Sequence, residues 1–221
     1  MAKEWYRCES WTKAEEEHFF AKLGRARKDG RPQYLRIQAV HLIDSGDLRL
    51  LDVAESLLNK ILTEYPDDRL QKSPALTMLG GIYRRRGNNE RALNYFKHAI
   101  DFEKEFPNVI WGASLSFAEI VVEEDRTEWY DEVEKTMLAE IENGGVLFPT
   151  QWYTIASVLC VIYASKGDRE KVKFYADIAE RNATAKLNSL WNPRKRKLGL
   201  LEERNALLDK KVRQALRLET R

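Results

Sequence analysis

Apolar residues recur along this chain at spacings of three and four. Ala92, Phe96 and Ala99 stand at i, i+4 and i+7, and Leu76, Leu79 and Tyr83 repeat the pattern just before them, which gives each segment the single apolar face of an amphipathic helix. Start signals agree with this. Thr12 and Glu15 are spaced as a capping box, Ser73-Pro74 puts a cap ahead of a proline at the first helical position, and Thr127, Thr150 and Asp168 can each cap. The pattern predicts helices over 12–28, 32–44, 47–64, 74–86, 89–105, 108–124, 128–143, 150–166, 168–187 and 194–218, and leaves no position for a strand.

The punctuation between these segments repeats. Tyr65-Pro66, Phe106-Pro107 and Phe148-Pro149 are aromatic-proline pairs 41 and 42 residues apart, followed after 44 by Trp191-Asn192-Pro193. Between them lie the turns Ser45-Gly46-Asp47, Arg86-Gly87-Asn88 and Lys166-Gly167-Asp168. A missing member of this series is expected near 127, at Glu124-Asp125-Arg126-Thr127. Proline cannot continue a helix, and glycine supplies the left-handed conformation that ends one. The marks therefore cut the chain into helix, glycine turn, helix and proline break. One such hairpin cannot bury its apolar face alone, so neighbouring hairpins must stack.

The residues from Ser73 to Phe106 resemble a tetratricopeptide repeat. Leu76, Leu79, Gly80, Tyr83, Gly87, Ala92, Phe96 and Ala99 match its apolar, small, aromatic and turn positions. A second unit carries Ala156, Leu159, Cys160, Tyr163, Gly167, Val172, Ala176 and Ala179, and a third keeps Leu35, Ala39, Leu42, Gly46 and Leu58. The stretch from Val109 to Asn143 has no clear motif. The resemblance implies an all-α, right-handed α-solenoid of about four helix-turn-helix repeats. They would occupy residues 32–187, between an N-terminal capping helix in 1–31 and a basic amphipathic C-terminal helix in 188–221. The spacing of 41 exceeds the family's usual period and implies longer helices. Gly80 and Ala92 fall where the two helices of a hairpin cross, and Ala99 faces the next hairpin.

The resemblance also implies a concave face that binds a peptide or protein segment. Carry-over by position places Arg36, Thr77, Arg84 and Ser157 on it, and these four with Tyr153 are its candidate contacts. The carboxylate-clamp subclass needs Lys and then Asn at sites held here by Ala39 and Ile43, or by Thr77 and Gly81, so no chaperone-adaptor role is implied.

Composition adds limits. The 221 residues are 43% hydrophobic and 33% charged, and eleven Gly and six Pro are few for a β-sandwich or barrel. No apolar run is long enough to span a bilayer, and Met1–Ser10 lacks the apolar centre of a signal peptide. A cytoplasmic protein that does not associate with membranes is expected. Its two cysteines, Cys8 and Cys160, are expected to be reduced.

The net charge is +2, but residues 194–221 carry +6 and the rest −4. A nucleic-acid partner is therefore not demanded, though Arg194–Lys197 keeps that alternative open. His18, His41 and His98 form no ligand pair and no glycine cluster resembles a phosphate loop, so neither a catalytic site nor a metal or cofactor is expected. The six tryptophans read as core or cap packing, with Trp5 and Trp11 in the N-terminal cap. At the C-terminus, Leu198, Leu201, Asn205, Leu208 and Val212 follow a seam with spacings of three and four. It could cap the last repeat, join a homodimer, or bind a partner; a polar Asn in such a seam would fix register.

Overall fold

The computed structural model describes residues 4–109, 111–188 and 197–218. Among them are ten α-helices, three short 3-10 turns and no strand. The chain divides into two compact units, Met1–Ala113 and Ser114–Arg221. In the described residues no helix is long and apolar enough to cross a membrane.

The first unit holds α1 (Lys13–Arg25), α2 (Arg31–Asp44), α3 (Leu51–Glu64), α4 (Arg69–Arg85) and α5 (Asn89–Glu105). α2 packs on α3 and α4 on α5 as hairpins, and α3 also lies against α4. Phe19 and Leu23 of α1, Leu35, Ala39 and Leu42 of α2, Leu51, Leu58 and Ile61 of α3, and Leu79 and Ile82 of α4 form one buried cluster. The residues ahead of α1 complete it. Trp5 lies 5.4 Å from Phe19 and 5.0 Å from Tyr34, and Trp11 lies 5.4 Å from Phe19. Gln38 is fully buried, yet both ends of its amide are satisfied: Oε1 accepts from the Cys8 N–H at 3.0 Å and Nε2 donates to the Cys8 carbonyl at 2.7 Å. A buried amide left unpaired would be destabilising, so this pair fixes the leading segment against α2.

The second unit holds α6 (Ala113–Glu123), whose first residue closes the first unit, then α7 (Tyr130–Glu142), α8 (Pro149–Ser165), α9 (Arg169–Ala183) and α10 (Ala206–Leu218). α8 is its centre. Every residue from Tyr153 to Tyr163 is buried, and α7, α9 and α10 all pack on this helix. A run apolar on all sides, such as Val158-Leu159-Cys160-Val161-Ile162, suits a helix surrounded by others.

The turn series is complete. Gly46, Gly87 and Gly167 have φ of 76°, 72° and 73°, and the fourth member is Asp125 at φ 55°. At Gly87, Asp125 and Gly167 the next amide bonds back five residues: Asn88 to the Tyr83 carbonyl, Arg126 to that of Val121 and Asp168 to that of Tyr163. These bonds close the helix end. Asp tolerates the left-handed region better than most residues with a Cβ, and so can stand in for glycine.

Three expectations need correction. Tyr65 and Phe106 do end helices, each donating its N–H to the carbonyl four residues back before a proline turn, whereas Phe148-Pro149 begins α8 with Pro149 in the first turn. The aromatic-proline spacing therefore joins unlike positions. α4 starts at Arg69, capped by Asp68, whose carboxylate accepts from the Leu70 and Gln71 amides at 3.0 Å each, so Pro74 lies inside the helix. The C-terminal helix starts at Ala206, because Asn205 caps it through the Leu207 and Leu208 amides, both 3.1 Å away. Residues 189–196, with Trp191-Asn192-Pro193 and Arg194–Arg196, lie outside the described residues.

Gly80 behaves as the crossing argument requires. A Cβ there would lie 2.5 Å from the Phe96 ring, while one on Gly81 would meet nothing within 4 Å.

Candidate functional site

A polar cluster recurs in the two units. In the first, the Tyr83 hydroxyl at the end of α4 donates to Glu55 of α3, and Arg86 pairs with both Glu55 and Asp52. Tyr83 stacks on Tyr95 of α5 at 5.4 Å and 9°, with the Arg91 guanidinium 4.4 Å from its ring centre. In the second, Tyr163 of α8 bonds Glu134 of α7, and Lys166 pairs with Glu134 and with Asp131. Tyr163 stacks on Tyr175 of α9 at 5.5 Å and 6°, under Lys171 at 4.3 Å. Each residue follows its counterpart by 79 or 80 positions.

Burial, then the neighbouring carboxylate, pushes the Tyr83 and Tyr163 hydroxyls above the ordinary phenol value. Burial would raise Glu55 and Glu134, but hydrogen bonds from the tyrosine and the adjacent cation outweigh it and hold both below the usual glutamate range. These groups satisfy one another. They tie each hairpin to the helix before it and leave neither a free base nor a nucleophile within the cluster.

The residues predicted to line a binding face are distributed unequally. Arg36 of α2 is half-buried, and its Nε donates to Gln71 Oε1 of α4 at 2.6 Å. Its guanidinium lies 5.0 Å from the ring centre of Trp111, in the loop after α5. Desolvation draws its pKa below the ordinary guanidinium value, and no carboxylate among the described residues pairs with it. Trp111 is 48% exposed, and its backbone N–H is held at 2.9 Å by Glu103 Oε1, which also accepts from Ser73. Reading every tryptophan as core or cap therefore misplaces Trp111. Thr77 and Arg84 are half-buried on α4, and the Thr77 hydroxyl oxygen is buried without a partner.

A comparison with protein-family models, curated proteins and solved structures finds no match in any of the three.

Tyr153 and Ser157 need correcting as surface contacts. They are 2% and 0% exposed, because α8 is enclosed by its neighbours. The Tyr153 hydroxyl donates to Asp209 of α10 at 2.8 Å, and burial together with that carboxylate raises its pKa. α10 seats Leu208, fully buried, and Ala215, 3% exposed, against the unit. Arg204 pairs with Glu180 and Asp209, Asn205 donates to Glu123, and Lys211 pairs with Asp125. Of the predicted seam, Leu208 is inside, Val212 and Leu201 are half-buried and Leu198 is 47% exposed. Leu198 and Leu201 precede the helix and Asn205 is its cap, so they do not form one continuous helical seam with Leu208 and Val212.

A cleft of about 730 Å³ lies along α9 and α10, lined by Lys173, Glu180, Arg204, Asp209, Arg213 and Leu216 among others. Among the described residues no group of three His, Cys, Asp or Glu is placed to hold a metal, and neither Cys8 nor Cys160 forms a disulfide.

Sequence reasoning missed Gln71 and Trp111. Gln71 carries no signal of its own. Trp111 falls inside the helix predicted over 108–124, but α6 begins only at Ala113, so the indole lies in the loop ahead of it.

Proposed function

We propose that the chain is a non-catalytic helical-repeat protein of tetratricopeptide type, a right-handed α-solenoid of about four hairpins with a cap at each end. It acts in the cytoplasm as an interaction scaffold or regulator, capturing a peptide or protein segment on the α2 and α4 side of its first unit. The recurrence of the tyrosine cluster 79 or 80 residues on supports the repeat reading.

Trp111 carries the functional reading. A large indole left 48% exposed, with its backbone pinned by Glu103, offers ordered apolar area for a partner at little entropic cost. The nucleic-acid alternative draws no support from Arg204 and Lys211, both already engaged by carboxylates of the same unit.

Panning a random displayed peptide library against the full chain tests the proposal. Enriched peptides should bind at least about tenfold more weakly to Trp111→Ala, the loss expected of an interface hot spot. Failure to enrich any sequence, or binding indifferent to Trp111→Ala, would reject it.

A further inference from the structure

Arg36 is a half-buried cation without the carboxylate partners that Arg86 of the same unit has. Arg86, with 27% of its side chain exposed, is matched by Asp52 and Glu55. Arg36 has only a neutral amide, Gln71, and the face of Trp111. The Gln71 bond uses Nε, so both terminal nitrogens keep their donors without a protein partner among the described residues. A guanidinium is planar and always charged, and its pair of terminal N–H groups matches the two oxygens of a carboxylate end-on. Burial has already removed part of its hydration, which strengthens its attraction for an incoming anion. The Gln71 bond and the indole contact fix its orientation, so little side-chain freedom remains to be lost on binding.

We infer that Arg36, Gln71 and Trp111 form a subsite for an acidic side chain of a bound peptide, with the Asp or Glu carboxylate on the two terminal nitrogens of Arg36 and an adjacent apolar residue on the exposed indole of Trp111. This rests on the peptide-capture reading and assigns the chemistry of its partner. The subsite is a single arginine stacked on an aromatic ring. It selects a carboxylate flanked by apolar surface and discriminates against basic segments, which would bring like charge to a half-buried cation.

The peptides enriched on the full chain provide the test. Most should carry Asp or Glu beside an apolar residue, and changing that residue to Asn or Gln should weaken binding roughly tenfold to a hundredfold, as expected for a charge-assisted hydrogen bond. The same peptide change should have little effect on Arg36→Gln, and Arg36→Lys, which keeps the charge but loses the planar fork, should fall between. Circular dichroism and Tm of each variant identify any that fail to fold. In that event the acidic-to-amide change in the peptide, measured on the unaltered chain, decides alone. Peptides that depend on Trp111 but share no acidic residue and ignore Arg36→Gln would overturn the subsite while leaving peptide capture standing. Absence of any enriched peptide would overturn both. Inorganic phosphate competing as strongly as the acidic peptide would overturn the assignment to a planar carboxylate.

Discussion

The two halves of the chain share a frame and differ in what lies on it. Glu55, Tyr83, Arg86 and Tyr95 in the first unit are answered by Glu134, Tyr163, Lys166 and Tyr175 in the second, with the same hydroxyl-to-carboxylate bond and the same stacked rings. Position 73 against position 153 shows the divergence. Ser73 is small and bonds Glu103, which in turn pins Trp111, whereas Tyr153 reaches out to Asp209 of α10. The chain's own C-terminal helix thus covers part of the second unit, while the first keeps an exposed indole beside an unmatched guanidinium. The repeated cluster ties each hairpin to the helix before it, and residues outside that repeat set which side chains stay exposed.

Removing α10 should have the largest effect. A version ending at Pro193 loses the burial of Leu208 and Ala215 and the partner of Tyr153, a loss of about 3 kcal/mol or more. Its Tm should fall sharply, while light scattering should find the full chain monomeric. An unchanged Tm, or a full-length dimer that this deletion dissociates, would assign the helix to a seam between copies instead.

Two adjacent glycines sharpen the packing comparison. Gly80→Ala pushes a methyl into the Phe96 ring and should destabilise by about 1–3 kcal/mol, although alanine is the better helix former. Gly81→Ala meets nothing and should stabilise by up to about 1 kcal/mol. Denaturant unfolding measures both, and equal effects at the two sites would contradict the crossing at Gly80.

Tyr83→Phe and Tyr163→Phe should each destabilise by about 0.5–1.5 kcal/mol. A clear inequality would show that the two clusters are not equivalent. Both carboxylates are held below the usual glutamate range, so the unfolded chain takes up protons first. Their contribution is complete above the ordinary glutamate pKa of about 4.3 and is lost as pH falls below it. Unfolding free energy measured against pH should decline there, and Glu55→Gln with Glu134→Gln should flatten that decline.

The smallest expected effect is at the turn without glycine. Asp125→Gly relieves a side chain at φ 55° but loses the exposed pairing with Lys211, for a net gain of a few tenths to about 1 kcal/mol.

Much of the helical frame was legible because its signals are local. The apolar spacing gave α5 residue for residue, and the turn series located the fourth turn to within two positions although Asp125 replaces glycine. Signals that a distant partner decides were not legible. Ser73-Pro74 reads as a helix start until Asp68 supplies the earlier cap, and Phe148-Pro149 looks like the other aromatic-proline pairs although it opens a helix. At the site, Arg36 was visible as a face residue. That it lacks a carboxylate and rests on Trp111 depends on a loop 75 residues away, and the burial of Tyr153 depends on α10 folding back over it. Local pattern carries no information about such long-range contacts.

Hydrogen exchange on the full chain, with and without an enriched acidic peptide, tests most directly whether the first unit is the receiving face. Added protection should fall on α2, the start of α4 and the loop carrying Trp111, with α8 and α10 unchanged. Protection confined to the second unit, or release of α10 on peptide binding, would contradict that assignment.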